Sequence, residues 1–142
     1  MIELFGHKTT AVFDLWSIAH FLTGCGLAYP LSIFARRFQL STRDSVFFVL
    51  LLSSTWEVLE FYFELGTLGS ETVRYWFQGV EHPLNRIFAD QILLLSGYIL
   101  ARKHMKLSVV AKVVAACWLA LNVFLFPHSM YIQEVWNLTS NP

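Results

Sequence analysis

Apolar residues in this chain do not alternate as they would in strands. They run in four long blocks separated by polar punctuation, over about residues 11–34, 44–65, 83–101 and 107–126. Each block approaches the roughly 20 residues a helix needs to cross a bilayer core. The pattern predicts an all-α fold: a bundle of four transmembrane helices forming a single integral membrane domain over residues 1–142. The punctuation agrees with those limits. Ser41 followed by Asp44 resembles a capping box opening the second helix. Gly66 stands where a C-terminal glycine would end it. Pro83 suits the first turn of the third helix, and Pro127 stops the fourth. Pro30 is expected to bend or fray the last turn of the first. Lys8 is the one lysine ahead of the first block, and Asp14 and His20 interrupt it. It therefore differs from a cleaved signal peptide and is expected to be retained.

The link between the second and third helices, residues 66–82, is the longest. Its run Val73, Arg74, Tyr75, Trp76, Phe77 is too apolar for a free loop and too short to span. Val73, Trp76, Phe77 and Val80 fall at helical spacing, which predicts a short helix lying at the membrane interface, anchored by Tyr75 and Trp76.

Composition supports the membrane class: 56% of residues are hydrophobic and only 14% charged, too few charges to cover a soluble domain of this size. The formal net charge is zero, which gives no basis for nucleic-acid binding. The distribution of charge is informative. Arg36, Arg37, Arg43, Arg102, Lys103, Lys106 and Lys112 cluster about the first and third links, against Lys8, Arg74 and Arg86 on the other side. The excess of basic residues places the first and third links in the cytoplasm and both termini on the outer side of a multi-pass membrane protein. Cys25 and Cys117 lie in apolar runs and have neither a disulfide nor a zinc spacing, so they are expected to be buried thiols.

Ionisable side chains inside a span cost about 2.5–3.5 kcal/mol each at the helix centre, yet this chain carries several. Asp14 and His20 lie on the first helix, Glu57, Glu60 and Glu64 on the second, and Arg86 and Asp90 on the third. With the topology above they converge on the outer half of the bundle. A rise of about 1.5 Å per residue puts His20 and Glu57 at a common depth of roughly 10–15 Å. Ser53, Glu57, Glu60 and Glu64 follow spacings of four, three and four and share a helix face. Arg86 and Asp90, four apart, are placed to pair.

This set supports three kinds of chemistry. His20, Glu57, Glu60 and Asp90 suit acid–base catalysis. His20, Glu57 and Glu60 suit a divalent metal such as zinc, manganese or iron. Arg86 and Asp14 suit anion binding or charge pairing. A buried polar network that merely fixes helix register is the competing reading. No His-x-x-x-His or Glu-x-x-His pair is present to decide for a metal. The functional expectation is an outward-facing His/carboxylate pocket that binds or acts on an envelope component such as a lipid head group. The alternatives are a non-catalytic accessory subunit of a larger membrane complex and a proton or metal-ion transporter that would need to form a homo-oligomer. Membrane lipids are the expected partners in each case.

The order of these residues also carries a resemblance. Asp14-Leu-Trp-Ser-Ile-Ala-His20-Phe-Leu-Thr-Gly24, then Trp56-Glu57-Val-Leu-Glu60, then Asn85-Arg86-x-x-x-Asp90 with Gly97, resembles the VanZ-like group of small bacterial membrane proteins and the related YjdF-type inner-membrane proteins. The resemblance spans the first three helices. The chain differs from the group in its longer Asp14–His20 gap without a lysine, in Glu60 where glutamine is usual, and in Leu94 where asparagine is usual. The resemblance implies a polytopic envelope protein of the bacterial cytoplasmic (inner) membrane, tied in some members to glycopeptide resistance, and supplies no established reaction.

Overall fold

The computed structural model describes residues 2–71, 73, 77, 79–121 and 124. Two three-residue strands, β1 (Glu3–Phe5) and β2 (Ala11–Phe13), pair in parallel, with Glu3 opposite Ala11 and Phe5 opposite Phe13. Four helices follow: α1 (Leu15–Arg37), α2 (Thr42–Glu64), α3 (Asp90–Lys103) and α4 (Met105–Ala120). A π-helical turn, Asn85–Ala89, leads directly into α3. The fold is therefore mainly helical, as the apolar blocks predict, and α1 and α2 are each long and apolar enough to cross a membrane. Asn122, Pro127 and the rest of the fourth predicted block lie outside the described residues. So do Arg74, Tyr75 and Trp76 of the predicted interfacial helix, although Val73 and Phe77 have helical backbone.

The helix ends follow local chemistry. Residues 11–13 are strand and not helix, because Asp14 caps α1: its Oδ1 accepts from the Ser17 amide at 2.9 Å, and Ser17 Oγ accepts from the Asp14 amide at 3.2 Å. Ser41 and Asp44 form the same reciprocal box at the start of α2. Gly66 has φ +70°, a left-handed conformation that lets the chain turn out of α2.

The last turns of α1 do not fray at Pro30, and the helix runs on to Arg37. A proline at position 30 cannot donate to the carbonyl of Gly26, four residues earlier. Ser108 of α4, fully buried, donates its hydroxyl to that carbonyl at 2.9 Å, and the same oxygen accepts from the Tyr29 amide at 3.0 Å. A side chain from a neighbouring helix thus satisfies the groups the proline disturbs, and α1 continues to Arg37.

Helix α1 is the centre of the bundle and packs closely on α3 and α4. Small residues permit this approach. A Cβ on Gly24 would collide with the Leu94 carbonyl, and one on Gly97 with the Phe21 carbonyl. Cys25, Ala28, Leu31, Val49, Leu94, Tyr98, Ala101 and Ala111 make the apolar core around that contact. Cys117, in contrast to its expected burial, is exposed, because it lies on the outward face of α4.

Helix α2 inverts the usual arrangement of a soluble helix. Its inward residues are Ser45, Val49, Ser53, Glu57, Glu60 and Glu64, whereas Phe47, Leu51, Trp56, Val58 and Tyr62 are exposed. Apolar outside and polar inside is the distribution a lipid environment favours.

Candidate functional site

The polar face of α2 meets the start of α1, the π-turn and the loop at residue 8 at one end of the bundle. The basic residues Arg36, Arg37, Arg102 and Lys103 lie at the other. A cavity of about 360 Å³, lined by residues including Arg36, Gln39, Tyr98 and Arg102, belongs to that basic end and is separate from the acidic one.

The acidic end has two halves. One half is closed. Glu64 accepts from Lys8 Nζ at 2.8 Å, from Arg86 Nη2 at 2.6 Å and from the Glu81 amide at 3.1 Å. Lys8 also donates to the Phe77 carbonyl. Both cations are therefore held by one buried carboxylate. Glu81 lies 3.5 Å from Arg86; burial first, and then the neighbouring Asp90 carboxylate, push its pKa well above the ordinary glutamate range.

The other half is open. The imidazole of His20 sits between two carboxylates, Nδ1 at 3.5 Å from Glu57 Oε1 and Nε2 at 3.6 Å from Asp90 Oδ2. Neither separation is a hydrogen bond. Both Glu57 oxygens and Asp90 Oδ2 are buried and have no hydrogen-bond partner, as is Arg86 Nε, which lies 3.5 Å from Glu57 Oε2. Ser17 Oγ is within 3.3 Å of Asp90 Oδ1 and 3.4 Å of both Asn85 Oδ1 and Asp14 Oδ1. A hydroxyl has one proton to give, so these three acceptors compete for a single donor. Donors as well as acceptors are left unmatched in this half, since Asn85 Nδ2 also lacks a hydrogen-bond partner.

The sequence-derived residues sort accordingly. His20, Glu57 and Asp90 come together: one ring nitrogen and one oxygen from each carboxylate lie within 4.8 Å of one another, the spread of a metal-ligand set. Glu60 is buried on the same face of α2 but is not part of that group. Asp14 is the N-cap of α1. Arg86 does not pair with Asp90 as the four-residue spacing predicts. The π-turn closes on a bond from the Asp90 amide to the Asn85 carbonyl, five residues back. The wider turn rotates Asp90 away toward His20 and Ser17 while Arg86 swings to α2.

Sequence reasoning missed three participants. Lys8 is 1% exposed and carries the charge that completes Glu64, although it precedes every helix. Glu81 and Asn85 are buried beside it. The Asn85-Arg86 pair next to Pro83 was the one available signal for the latter.

Comparison with known proteins finds no match: no family model, no curated protein and no solved structure matches this chain.

Proposed function

We propose that this chain is a four-span protein of the bacterial cytoplasmic membrane, with both termini outside and an outward-opening His/carboxylate pocket that binds or acts on an envelope component such as a lipid head group. One observation carries the reading. His20 faces two buried carboxylates whose facing oxygens have no hydrogen-bond partner. A network kept only for architecture closes its buried polar groups, because each one left unmade costs about 1–3 kcal/mol. Both oxygens of Glu64 are closed in that way, and neither oxygen of Glu57 is. Groups held short of partners are what a proton carrier or a ligand site requires. Loop charge supports the outward orientation, and the resemblance of the Asp14–Gly97 motifs to VanZ-like proteins supports an envelope role.

The test compares wild type, His20→Ala and Glu57→Ala at equal membrane abundance in a deletion strain, scoring susceptibility to a glycopeptide antibiotic and the lipid retained after mild-detergent purification. Both variants should behave as the deletion and lose the retained lipid. Full activity and unchanged lipid retention in both would overturn the reading. Stoichiometric recovery with a large complex would instead favour an accessory subunit.

A further inference from the structure

We propose that His20, Glu57 and Asp90 form a divalent-metal site whose open coordination positions accept a phosphate oxygen of the head group. This rests on the reading of the pocket as a working centre and names the chemistry it takes.

The argument begins with charge. Glu57, Glu60, Glu64, Glu81 and Asp90 are all buried at this end of the bundle, and they outnumber Lys8 and Arg86. Both cations make their close contacts with Glu64, at 2.8 and 2.6 Å. Glu57 keeps only a longer ion pair, 3.5 Å from Arg86 Nε, and Asp90 Oδ2 has no hydrogen-bond partner. A divalent ion between them balances those two carboxylates and satisfies the oxygens that lack partners.

The geometry suits an ion. Metal–ligand bonds of about 2.0–2.2 Å in a tetrahedral shell place ligand atoms roughly 3.4 Å apart. One His20 nitrogen and one oxygen each from Glu57 and Asp90 lie within 4.8 Å of one another; the nearest approaches, Nδ1–Glu57 at 3.5 Å and Nε2–Asp90 at 3.6 Å, involve different ring nitrogens, so one of them is a ligand–ligand edge and the other is not. Only one ring nitrogen binds. The other faces the second carboxylate, whose two oxygens can divide between the ion and the ring N–H. One nitrogen and two carboxylates suit zinc, manganese or iron(II) better than calcium or magnesium, which favour all-oxygen shells.

A metal also resolves a conflict in the site. A pocket of carboxylates repels a phosphate-bearing head group. Three protein ligands leave open positions on the ion, and a phosphate oxygen can occupy one of them. Arg86 Nε, which has no hydrogen-bond partner and lies 3.5 Å from Glu57, supplies a second cationic group beside that position.

The experiment uses the full chain, untagged, in lipid nanodiscs after chelator washing, dialysed against zinc, manganese or magnesium separately and assayed for bound metal. Wild type should retain one zinc or manganese ion per chain and little magnesium. His20→Gln and Asp90→Asn should weaken binding by about tenfold or more, while Glu60→Gln should not. Pulsed EPR of the manganese-loaded wild type should show coupling to one histidine nitrogen that disappears in His20→Gln. This readout needs no variant to establish a nitrogen ligand. Substoichiometric metal in wild type, no nitrogen coupling, or equal losses in Glu60→Gln and Asp90→Asn would each overturn the metal site. A metal-free protein whose His20→Ala variant still loses function would overturn the metal alone and leave the pocket as a proton-carrying centre. Bound metal with a fully functional His20→Ala variant would overturn the functional reading on which the site rests.

Discussion

Two glutamates two turns apart on one helical face should respond differently to the same substitution. Glu64 accepts from Lys8, Arg86 and the Glu81 amide, and its side chain is fully buried. Glutamine keeps the shape but offers one carbonyl oxygen and turns an NH₂ group toward cations. Removing one member of a buried ion pair costs about 3–5 kcal/mol, because the remaining charge stays uncompensated. At about 2–4 °C per kcal/mol, Glu64→Gln should lower the melting temperature by on the order of 10 °C. Glu57 has no hydrogen bond to lose and only a longer ion pair with Arg86, at 3.5 Å, and its neutralisation relieves repulsion among the carboxylates. Glu57→Gln should therefore melt at or above wild type, although it removes a member of the candidate site. The assay is thermal unfolding in detergent, followed by tryptophan fluorescence and by size-exclusion recovery after heating. A Glu57→Gln variant destabilised as deeply as Glu64→Gln would refute the division into a closed and an open half. So would a Glu64→Gln variant with the wild-type melting temperature.

Two further outcomes follow from the same structure. The pKa of Glu81 is shifted upward by burial and by Asp90, so the fold favours its protonated form. Its stabilising effect is complete below the ordinary glutamate value of 4.5 and is lost as pH rises toward the shifted value. Glu81→Gln should accordingly match wild type in melting temperature at the acidic end and exceed it by a widening margin as pH rises; a constant margin would mean that Arg86 keeps Glu81 ionised. Ser108→Ala strands the Gly26 carbonyl and should cost about 1–3 kcal/mol. In a Pro30→Ala background the restored amide can satisfy that carbonyl, so the same change should cost less; a double-mutant cycle with no coupling would refute the account of how α1 passes through Pro30.

Much of the helical layout was legible because its causes are local. Apolar block length, the Ser41–Asp44 box and Gly66 act over a few residues, and the four- and three-residue spacing of Glu57, Glu60 and Glu64 assigns them to one face wherever α2 is placed. The same spacing argument failed for Arg86 and Asp90. It assumes an α-helix, and the backbone there takes a π-turn that no residue type signals. Position in the chain gave no hint that Lys8 is buried or that it shares Glu64 with Arg86.

The chain by itself determined that its helices carry acids on inward faces and apolar residues outward, because helical periodicity and the cost of burying charge are properties of short segments. Only the tertiary structure decided which acids are closed by cations and which face His20. That division depends on where a loop lysine, a π-turn and a third helix meet, and such long-range meetings leave no periodic trace in sequence.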